Sequence, residues 1–363
     1  MLVLHVVAAG EVGGAERMLL DLARETEGVR HAVALFSASP RLTRLLHDAD
    51  LTIFDRGPQT EGPLHYAREA LLGEGARWVG KLARECRADV VHVHTFASQV
   101  MGTRAAIDAR IPAVRTEHST RVFDDPSCWP FSKWSLARVT RSVAISEHVA
   151  GVVRQRAPFA VPKLRVVPNG VDPAIHLGRP YPVGQVPRVA IIGRLEPRKG
   201  VDTALQAVAR VPDLELRVVG DGPSRGALEA QAKALGLAAR VRFLGHLAEP
   251  QRALDECHAV LSASRKEGLG IALLEALCAE RPVIALPTGG IPEFVDATTG
   301  YLAAGHDAEA LAHALREFVS DLGAAHRKGQ RGRERVLSRY TVSHMRQGYA
   351  RVYQEAMAAP RQH

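Results

Sequence analysis

The sequence contains few cysteines, few aromatic residues and no long apolar run. Aromatic residues make up only 5% of the 363 residues. The four cysteines lie far apart and form no Cys-x-x-Cys pair: Cys86, Cys128, Cys257 and Cys278. This spacing indicates neither a zinc site nor a disulfide framework, so we interpret all four as ordinary thiols. No segment approaches the roughly 20 apolar residues that a membrane-spanning helix needs.

The N-terminus also lacks the features of a targeting signal. Its first residues are MLVLHVVAAGEVGG, with no basic region ahead of the short apolar run. We therefore expect a cytoplasmic protein. The apolar fraction of 46% is ample for packed cores, and the length fits two domains better than one. Disordered and fibrous classes are excluded.

The net charge of +8 is unevenly distributed along the chain. Two stretches, 133–165 and 326–346, each carry a net charge of +6. Such stretches attract phosphates on nucleotides, anionic lipids or nucleic acids without distinguishing among them. Solvated helix faces are an equally good interpretation.

Short apolar strands alternate with helical patterns along the chain, without internal repeats. The strands of the first half read LVLHVVAAG, HAVALFS, DVVHVHT, PAVRTEH and SVAIS, and those of the second half RVAIIG, LELRVVG, RVRFLG, HAVLSAS and PVIALP. This alternation predicts doubly wound parallel sheets, whose ligands bind at the carboxyl ends of the strands. A Pro/Gly-rich stretch separates the halves. We expect similar α/β domains at 1–172 and 188–340, joined by a linker at 173–187.

Two carboxylates eight residues apart, Glu267 and Glu275, flank a glycine-containing turn that opens an apolar helix. Eight residues of helix cover at most roughly 12 Å, about the distance from a ribose past a diphosphate to an attached sugar. Gly268 and Gly270 would let a diphosphate approach the free N–H groups and the positive dipole end of the helix. The pattern therefore fits a nucleotide sugar. The plainer alternative is an amphipathic helix with two solvent-facing acids.

A basic loop follows the first strand of the second half. Arg194 ends that strand, and Lys199 precedes the next helix, in the sequence RLEPRKG. A guanidinium fork and an ammonium group together suit the oxygens of a phosphate. Two exposed loop charges are the alternative for this loop taken alone.

Histidines stand at or near the ends of two predicted strands. His118 ends PAVRTEH, where it is a candidate functional side chain. His92 and His94 alternate on one face of a strand, which is compatible with a metal site. The sequence shows no third ligand beside them, so we expect no metal.

Several of these motifs resemble, in one order along the chain, those of the family-4 retaining glycosyltransferases. The segments that carry the resemblance are Gly13-Gly14-Ala15-Glu16, VPNGVD at 167–172, GRLEPRKG at 193–200, VGDGP at 219–223, FLGHL at 243–247, the E-x7-E at 267–275 and GGIPE at 289–293. The resemblance spans nearly the whole chain. It implies the GT-B fold, in which two Rossmann-like domains face each other across a cleft. It further implies that segment 341–363 contains a helix crossing back to the N-terminal domain, which binds the acceptor.

The resemblance also implies roles for individual residues. Arg194 and Lys199 match the basic pair on the donor diphosphate, Glu275 the acid on the ribose, and Glu267 the acid near the donor sugar. His118 resembles the histidine near the reacting carbon of that sugar. The remaining expected binding residues lie in glycine-rich turns and around the nucleotide base: Gly13, Gly14, Gly268, Leu269, Gly270, Phe243, Gly245, His246 and Leu247.

The expected chemistry is a metal-independent transfer that retains the configuration of the sugar. We find no Asp-x-Asp near a strand end to hold Mg²⁺, so Arg194, Lys199 and a helix N-terminus must neutralise the leaving diphosphate. The expected donor is a UDP-sugar, with a GDP-sugar as the alternative. The expected acceptor is a glycan or a lipid-linked sugar in surface polysaccharide or lipopolysaccharide synthesis. We expect no cofactor and no nucleic-acid partner.

Two segments depart from the family pattern. Glu280-Arg281 stands where the family often has a small residue and glycine, and we expect this difference to affect packing only. The segment 123–142 places Trp129 and Trp134 among basic residues. It predicts part of an acceptor pocket or a peripheral contact with the anionic inner face of the cytoplasmic membrane, with core packing of both tryptophans as the alternative.

Other classes of function remain open on the sequence alone. A nucleotide-sugar epimerase or a phosphorolytic enzyme of the same fold would bring further catalytic acids or a cofactor lysine, which we do not find. A non-catalytic polyanion-binding protein would use the basic stretches and show strongly salt-dependent binding. An NAD dehydrogenase is the weakest alternative, because no G-x-G-x-x-G follows a strand with an acid about 20 residues further on.

Overall fold

A computed structural model describes residues 1–8, 13–24, 28–36, 39–57, 73–175, 180–182, 186–247 and 250–360. The chain divides into two compact units, the first made of Met1–Gly170 and Val342–His363 and the second of Val171–Thr341. The boundaries expected from the sequence, 172 and 340, lie beside this division. The expected linker, 173–187, falls within the second unit rather than between the two.

The first unit is built on a sheet of parallel strands flanked by helices. The strands are β1 (Leu2–Ala8), β2 (Arg30–Phe36), β3 (Thr52–Asp55), β4 (Val90–Val93), β5 (Ala113–Glu117), β6 (Arg141–Ala144) and β7 (Leu164–Val166). The helices are α1 (Gly14–Ala23), α2 (Pro40–Asp48), α3 (Glu74–Glu85), α4 (Phe96–Ala109), α5 (Arg121–Asp124), α6 (Trp129–Arg138) and α7 (Glu147–Arg156), with a 3₁₀ turn at Pro158–Lys163. The described strands lie in the order β3-β2-β1-β4-β5-β6-β7.

The second unit repeats this architecture. Its strands are β8 (Arg188–Ile192), β9 (Glu215–Val219), β10 (Val241–Gly245), β11 (Ala259–Ser262), β12 (Val283–Ala285) and β13 (Gly300–Leu302). Its helices are α8 (Val201–Ala209), α9 (Arg225–Ala234), α10 (Ile271–Cys278), α11 (Ala308–Ser320) and α12 (Leu322–Arg339), with 3₁₀ turns at Pro197–Lys199, Pro250–Leu254 and Ile291–Glu293. The described strands lie in the order β10-β9-β8-β11-β12-β13.

Both sheets are parallel and doubly wound. The strand order reverses between β1 and β4 in the first unit and between β8 and β11 in the second. In such sheets a ligand binds at the carboxyl ends of the strands beside the reversal. The predicted fold class of two Rossmann-like domains is confirmed, and the topology marks one crevice in each unit.

A helix from the C-terminus of the chain completes the first unit. This helix, α13 (Val342–Ala358), buries Tyr349 and Tyr353 in one apolar cluster with Val3 and Val90 of the sheet. Both faces of a parallel sheet are normally buried, so helices must pack against each face. Segment 342–363 therefore belongs to the unit that begins the chain.

The sequence analysis expected Glu280-Arg281 to affect packing only, but the Arg281 side chain also forms hydrogen bonds that fix a neighbouring segment. Its side chain is fully buried, and its guanidinium donates to the carbonyls of Leu254 (2.9 Å), Ala279 (3.2 Å) and Pro180 (2.9 Å). It also lies over the Tyr181 ring, 5.6 Å from the centroid. Arg281 thus ties residues 180 and 181 to the body of the second unit.

The tryptophan-containing segment packs against its own unit. Trp129 and Trp134 are both half-buried. The Trp129 ring contacts Phe123, with 5.5 Å between centroids, and the Arg138 guanidinium lies 5.0 Å from the centre of the Trp134 ring. None of the helices in the described ranges has the length and apolarity needed to cross a membrane.

The expectation that no Asp-x-Asp stands near a strand end is wrong. Asp48 and Asp50 form such a pair and are exposed at the end of α2, just before β3 begins. They therefore lie at the amino edge of the first sheet. A diphosphate site at the carboxyl edge does not use them.

Candidate functional site

An ion pair lies at the strand reversal of the second sheet. The chain after β8 forms a loop that brings Lys199 beside the loop after β11, where Glu267 lies. Lys199 Nζ donates to Glu267 Oε2 at 2.7 Å, and the two side chains are only 23% and 15% exposed. The structure thus brings together two residues that are 68 positions apart in sequence. A cation and an anion are fixed at the edge where a ligand would bind.

Two further cations surround one carboxylate in the same loop. Arg194 Nε lies 2.9 Å from Glu196 Oε1, and Arg198 Nε lies 2.7 Å from Glu196 Oε2. Arg194 keeps 47% of its side chain exposed. Glu196 therefore restrains Arg194 at the sheet edge while leaving it accessible to an incoming anion.

Glycines make this crowded edge possible. Gly200, at the start of α8, has φ +62°, and a Cβ there would lie 1.9 Å from the carbonyl oxygen of Ala263. Gly289 also has φ +62°, and its Cβ would lie 1.8 Å from the carbonyl oxygen of Glu267. No other residue fits either place without moving the loops. The glycines thus hold the loops of Lys199 and Glu267 in contact.

The E-x7-E motif spans a loop and a helix rather than one continuous helix. Glu267 and Gly268 precede Gly270, which has φ +100° and occupies the N-cap of α10. Leu269 is buried at 1% exposure, which anchors the turn. Glu275 lies half-buried on α10, one turn into the helix. Helix α10 begins directly after this loop, and its first N–H groups have no intrahelical acceptor.

The segment expected to frame a nucleotide base ends strand β10. Phe243 packs against the core, and the carbonyl of Gly245 accepts from the backbone N–H of Gly220 at 2.7 Å. His246 is exposed and Leu247 half-buried. These residues lie at the carboxyl edge of the sheet, two strands from the Lys199 loop.

In the first unit, Gly13 and Gly14 lie where helix α1 begins. The backbone N–H of Gly13 donates to Glu16 Oε2 at 2.8 Å, which caps the helix. Glu16 is buried, and burial raises the pKa of its carboxyl. The loop between β1 and Gly13, residues 9–12, lies outside the described residues. The structure thus places both glycines at the β1/β4 reversal.

His118 follows β5, is half-buried, and lies against a group of buried histidines. His94 Nδ1 and His118 Nε2 lie 3.4 Å apart, and His94 Nε2 lies 2.9 Å from His5 Nδ1. Burial lowers the pKa of His118 to about 4. The imidazole is therefore neutral at pH 7.

The structure places a third histidine, His5, beside His92 and His94, which the sequence analysis did not identify. One ring nitrogen from each of His5, His92 and His94 lies within 4.8 Å of the others. The His92 nitrogens, however, contact the Tyr353 and Thr116 hydroxyls at 2.8 Å each. The nitrogens of His5 contact other histidines. Each of these ring nitrogens thus has a hydrogen-bond partner in this structure, and the absence of a metal stays a prediction.

Sequence reasoning missed His5 and His31 as part of this group. His5 stands opposite His92 in the pairing of β1 with β4, although 87 positions separate them in sequence. The available signal was a histidine inside an otherwise apolar strand, LVLHVVA. That signal shows a buried polar group but does not identify its partners.

Family comparison agrees with the topology and the motifs. Residues 12–175 match the family described as "Glycosyltransferase Family 4", and residues 182–335 match "Glycosyl transferases group 1". The chain belongs to the family-4 glycosyltransferases and is a transferase of GT-B type. The alternatives of an epimerase, a dehydrogenase and a non-catalytic polyanion-binding protein are set aside.

Individual relatives cover most of the chain. It is 30% identical to a GDP-mannose-dependent alpha-(1-6)-phosphatidylinositol monomannoside mannosyltransferase of Mycolicibacterium smegmatis, over 86% of this chain and 80% of that one. It is 28% identical to the 2-deoxystreptamine glucosyltransferase of Streptomyces kanamyceticus, over 87% and 92%. The crystal structure of HepE of Anabaena with UDP and glucose superposes with a TM-score of 0.81 at 25% identity, over 97% and 98%.

Proposed function

We propose that this protein transfers a sugar from a UDP-sugar to a hydroxyl of a glycan or lipid-linked acceptor, with retained configuration and without a metal ion. The observation that carries the proposal is the Lys199–Glu267 pair at the strand reversal of the second sheet, beside the N-terminus of α10. This arrangement offers a cation for the diphosphate and an acid for the sugar within one loop contact.

The positive groups of this edge suit a diphosphate leaving group. Lys199 is held by Glu267 at 2.7 Å, and Arg194 by Glu196 at 2.9 Å, so both cations are positioned before a donor binds. The helix dipole of α10 adds partial positive charge at its N-terminus. Preorganised charge of this kind stabilises a transition state without reorganisation.

Two acids of this edge, Glu267 and Glu196, are engaged by cations. Glu267 accepts from Lys199, and Glu196 from Arg194 and Arg198. A divalent ion would have to displace those cations to gain oxygen ligands. We therefore assign neutralisation of the leaving diphosphate to Lys199, Arg194 and α10.

The transfer follows a front-face path in this proposal. The bond between the anomeric carbon and the diphosphate oxygen breaks, and the acceptor oxygen bonds to the same face of that carbon. The acceptor hydroxyl gives its proton to an oxygen of the leaving diphosphate. Glu267 hydrogen-bonds the donor sugar, and Glu275 the ribose hydroxyls.

The donor base is proposed as uracil. HepE of Anabaena, crystallised with UDP, supports UDP, whereas the mannosyltransferase of Mycolicibacterium smegmatis depends on GDP-mannose by its name. Phe243 and the residues to Leu247 would frame the base largely through backbone groups. Backbone contacts of this kind discriminate between nucleotide bases less strongly than side-chain hydrogen bonds do.

The experiment is a transfer assay with and without EDTA, with NMR of the product anomeric proton. We expect full activity in EDTA and a product of the same configuration as the donor. Lys199→Ala should lower kcat by about 10²–10³, the usual effect of removing one preorganised charge stabiliser. Arg198→Ala, an exposed cation in the same loop, is the matched control. An inverted product, loss of activity in EDTA or an unchanged kcat in Lys199→Ala would contradict the proposal.

The proposed location is the cytoplasm, with peripheral contact at the inner membrane face through the segment 123–142. Lys133 and Arg138 are exposed there. Arg141, by contrast, pairs with Glu355 at 3.0 Å and is a structural residue. Anionic liposomes should co-sediment the protein less well when Lys133 and Arg138 are changed to Glu. Sedimentation that ignores this double reversal would remove the membrane contact and leave a packing role.

A further inference from the structure

Helix α12 carries six cations, and four of them have partners among the described residues. These four contact carboxylates or backbone oxygens, and they are Arg327, Lys328, Arg333 and Arg335. Arg331 and Arg339 are exposed and form no hydrogen bond or ion pair with any residue that the structure describes. The fold therefore leaves these two arginines of the basic stretch 326–346 without a structural task.

The two unpaired arginines line the same cavity. It is an open groove of about 600 Å³ between α12 and the turn before β13, and its lining includes Thr298, Arg331, Glu334, Arg335 and Arg339. Arg331, Arg335 and Arg339 follow one another at intervals of four residues. They therefore lie along one face of the helix, over a length of about 12 Å. We call this cavity the arginine groove.

Arg335 forms part of the wall of the arginine groove. Its guanidinium donates to Asp296 Oδ2 at 2.7 Å and to Thr298 Oγ1 at 3.2 Å. The Thr298 hydroxyl in turn donates to Asp296 Oδ1 at 2.6 Å. These contacts tie the turn before β13 to the helix, so the groove has its shape before a ligand binds. A preformed groove distinguishes this row of arginines from a solvated helix face.

The row of arginines is unfavourable without a ligand. Like charges four residues apart on a helix repel each other and destabilise it. Arg339 stands in the last turn of α12, where the helix dipole favours a cation. Arg331 lies about two turns earlier and gains no such support. An anion bound between Arg331 and Arg339 would offset the repulsion.

Glu334 restricts the kind of anion that fits. It is exposed in the arginine groove and forms no ion pair with any described residue. A carboxylate there repels a dense polyanion such as a nucleic acid, whereas it accepts hydrogen bonds from hydroxyl groups. The described lining also contains no aromatic ring on which a nucleotide base could stack. An anionic group for the arginines and hydroxyls for Glu334 together describe an acidic sugar.

The arginine groove lies away from the donor edge of its own unit. Thr298 and Thr299 precede β13, so they mark the amino edge of the second sheet. Lys199 and Glu267 follow β8 and β11 and lie at the carboxyl edge of that sheet. A ligand in the groove therefore does not compete with a nucleotide sugar for the same cations.

We propose that the arginine groove is a second binding site, which takes a sugar carrying a phosphate or a carboxylate group. Arg331 and Arg339 hold the anionic group through their guanidinium forks, and Glu334 accepts hydrogen bonds from hydroxyls of the sugar ring. The site lies entirely within the second unit and does not depend on the transfer reaction proposed above. Sugar phosphates and uronic acids share this chemistry, and binding measurements distinguish them.

The test is isothermal titration calorimetry of the whole protein at low ionic strength, where exposed charges are least screened. The probes are glucose 6-phosphate and glucuronic acid, with glucose and inorganic phosphate as reference compounds. We expect saturable binding of at least one acidic sugar, at least about tenfold tighter than that of glucose or inorganic phosphate. The acidic sugar that binds more tightly identifies the preferred anionic group.

Variants assign the binding to the groove. Arg331→Gln combined with Arg339→Gln should weaken binding of the acidic sugar at least about tenfold, because charge-assisted hydrogen bonds are lost. Glu334→Gln should reduce the preference for the acidic sugar over inorganic phosphate. Arg327→Gln removes a charge from the same helix outside the groove, and Lys199→Ala removes one from the donor edge. Both of these controls should bind the acidic sugar as the wild type does.

Thermal melting separates a binding role from a structural one. Because Arg331 and Arg339 have no partner among the described residues, the double variant should melt no lower than the wild type without ligand. A lower midpoint would make the two arginines structural residues and contradict the proposal. So would the absence of saturable binding, equal binding of inorganic phosphate, or binding that the double variant keeps and Lys199→Ala loses. If the protein transfers no sugar under any condition, the calorimetry still decides the inference.

Discussion

Burial distinguishes the roles of two cations in the second unit. Lys199 keeps part of its side chain exposed and pairs with one carboxylate, so a ligand can reach it. Arg281 is fully buried, and it donates to the backbone carbonyls of Leu254 and Pro180. We therefore expect substitution of Lys199 to affect rate and substitution of Arg281 to affect stability.

Arg281→Ala should destabilise the second unit by about 3 kcal/mol or more, because it leaves buried carbonyls without a donor, each at a cost of about 1–3 kcal/mol. Differential scanning calorimetry would measure the shift of the second-unit transition. Arg316→Ala is the matched control: Arg316 is 47% exposed and pairs with Glu309, and such surface pairs contribute at most about 1 kcal/mol. Equal shifts in the two variants would show that the buried contacts of Arg281 do not stabilise the fold.

At the residue scale, spacing along the chain made it predictable that Lys199, Glu267 and Glu275 lie at one edge of the second sheet. Lys199, Glu267 and Glu275 stand in local motifs at strand ends, and parallel strands bring such ends to one edge. His5 and His31 have no local motif. Their partnership arises from the lateral order of β2, β1 and β4, which periodicity does not reveal. The buried role of Arg281 was missed because its acceptors are backbone atoms.

At the scale of elements, the site depends on loops that touch through glycine. The loop of Glu267 lies against Gly289, and that of Lys199 leads into Gly200, whose backbone touches Ala263. A glycine before a helix or after a strand is visible in sequence. The sequence does not show which backbone group packs against that glycine, because the group belongs to another loop. Only the structure identifies it.

Gly289→Ala should disrupt the site, because the new Cβ would lie 1.8 Å from the carbonyl oxygen of Glu267 at a φ of +62°. The left-handed conformation alone costs roughly 1–2 kcal/mol for alanine. We expect the stability of the second unit to fall by at least that amount and donor affinity to fall at least tenfold, measured by calorimetric melting and by donor titration.

Gly226→Ala is the control for this change. Gly226 lies exposed in α9, and a methyl group added there would have nothing within 4 Å, so alanine should stabilise the helix by about 0.5–1 kcal/mol. Donor affinity should not change. If Gly289→Ala behaved like Gly226→Ala, the contact between loops would not determine the site.

At the scale of the whole molecule, the alternation of strands and helices predicted two doubly wound sheets, and the chain does form them. The assignment of 173–187 to a linker was less successful, because Arg281 and Tyr181 bind part of that stretch to the second unit. Composition indicated an open, Pro/Gly-rich segment. Only the position of the Arg281 guanidinium showed where the segment is attached.

The buried histidines make the first unit sensitive to acid. Burial lowers the pKa of five histidines in it, namely His5, His31, His92, His94 and His118. Below pH 6.5 the unfolded chain binds protons that the folded unit does not bind, so stability is present above pH 6.5 and is lost as pH falls toward 4. Each such histidine costs up to about 1.4 kcal/mol per pH unit in that range.

Tryptophan fluorescence would measure this loss in the first unit alone, since Trp78, Trp129 and Trp134 all lie in it. Urea denaturation at pH 7.5, 6.0 and 5.0 should show the midpoint falling steeply with pH. The second-unit transition, followed by calorimetry in the same buffers, is the internal reference. A fluorescence midpoint that did not change between pH 7.5 and 5.0 would mean that the histidines are not held neutral in the folded unit.

The most direct test of the proposed donor site is a melting experiment with UDP, GDP, ADP and their sugars on the wild type, Glu275→Ala and the exposed control Glu309→Ala. A nucleotide at a hundred times its Kd adds about 2.7 kcal/mol, which raises the midpoint by several degrees. We predict such a rise with UDP or a UDP-sugar, preserved in Glu309→Ala and lost in Glu275→Ala. No rise with any nucleotide in a cooperatively melting protein, or an equal rise in Glu275→Ala, would contradict the assignment of this edge to a nucleotide sugar.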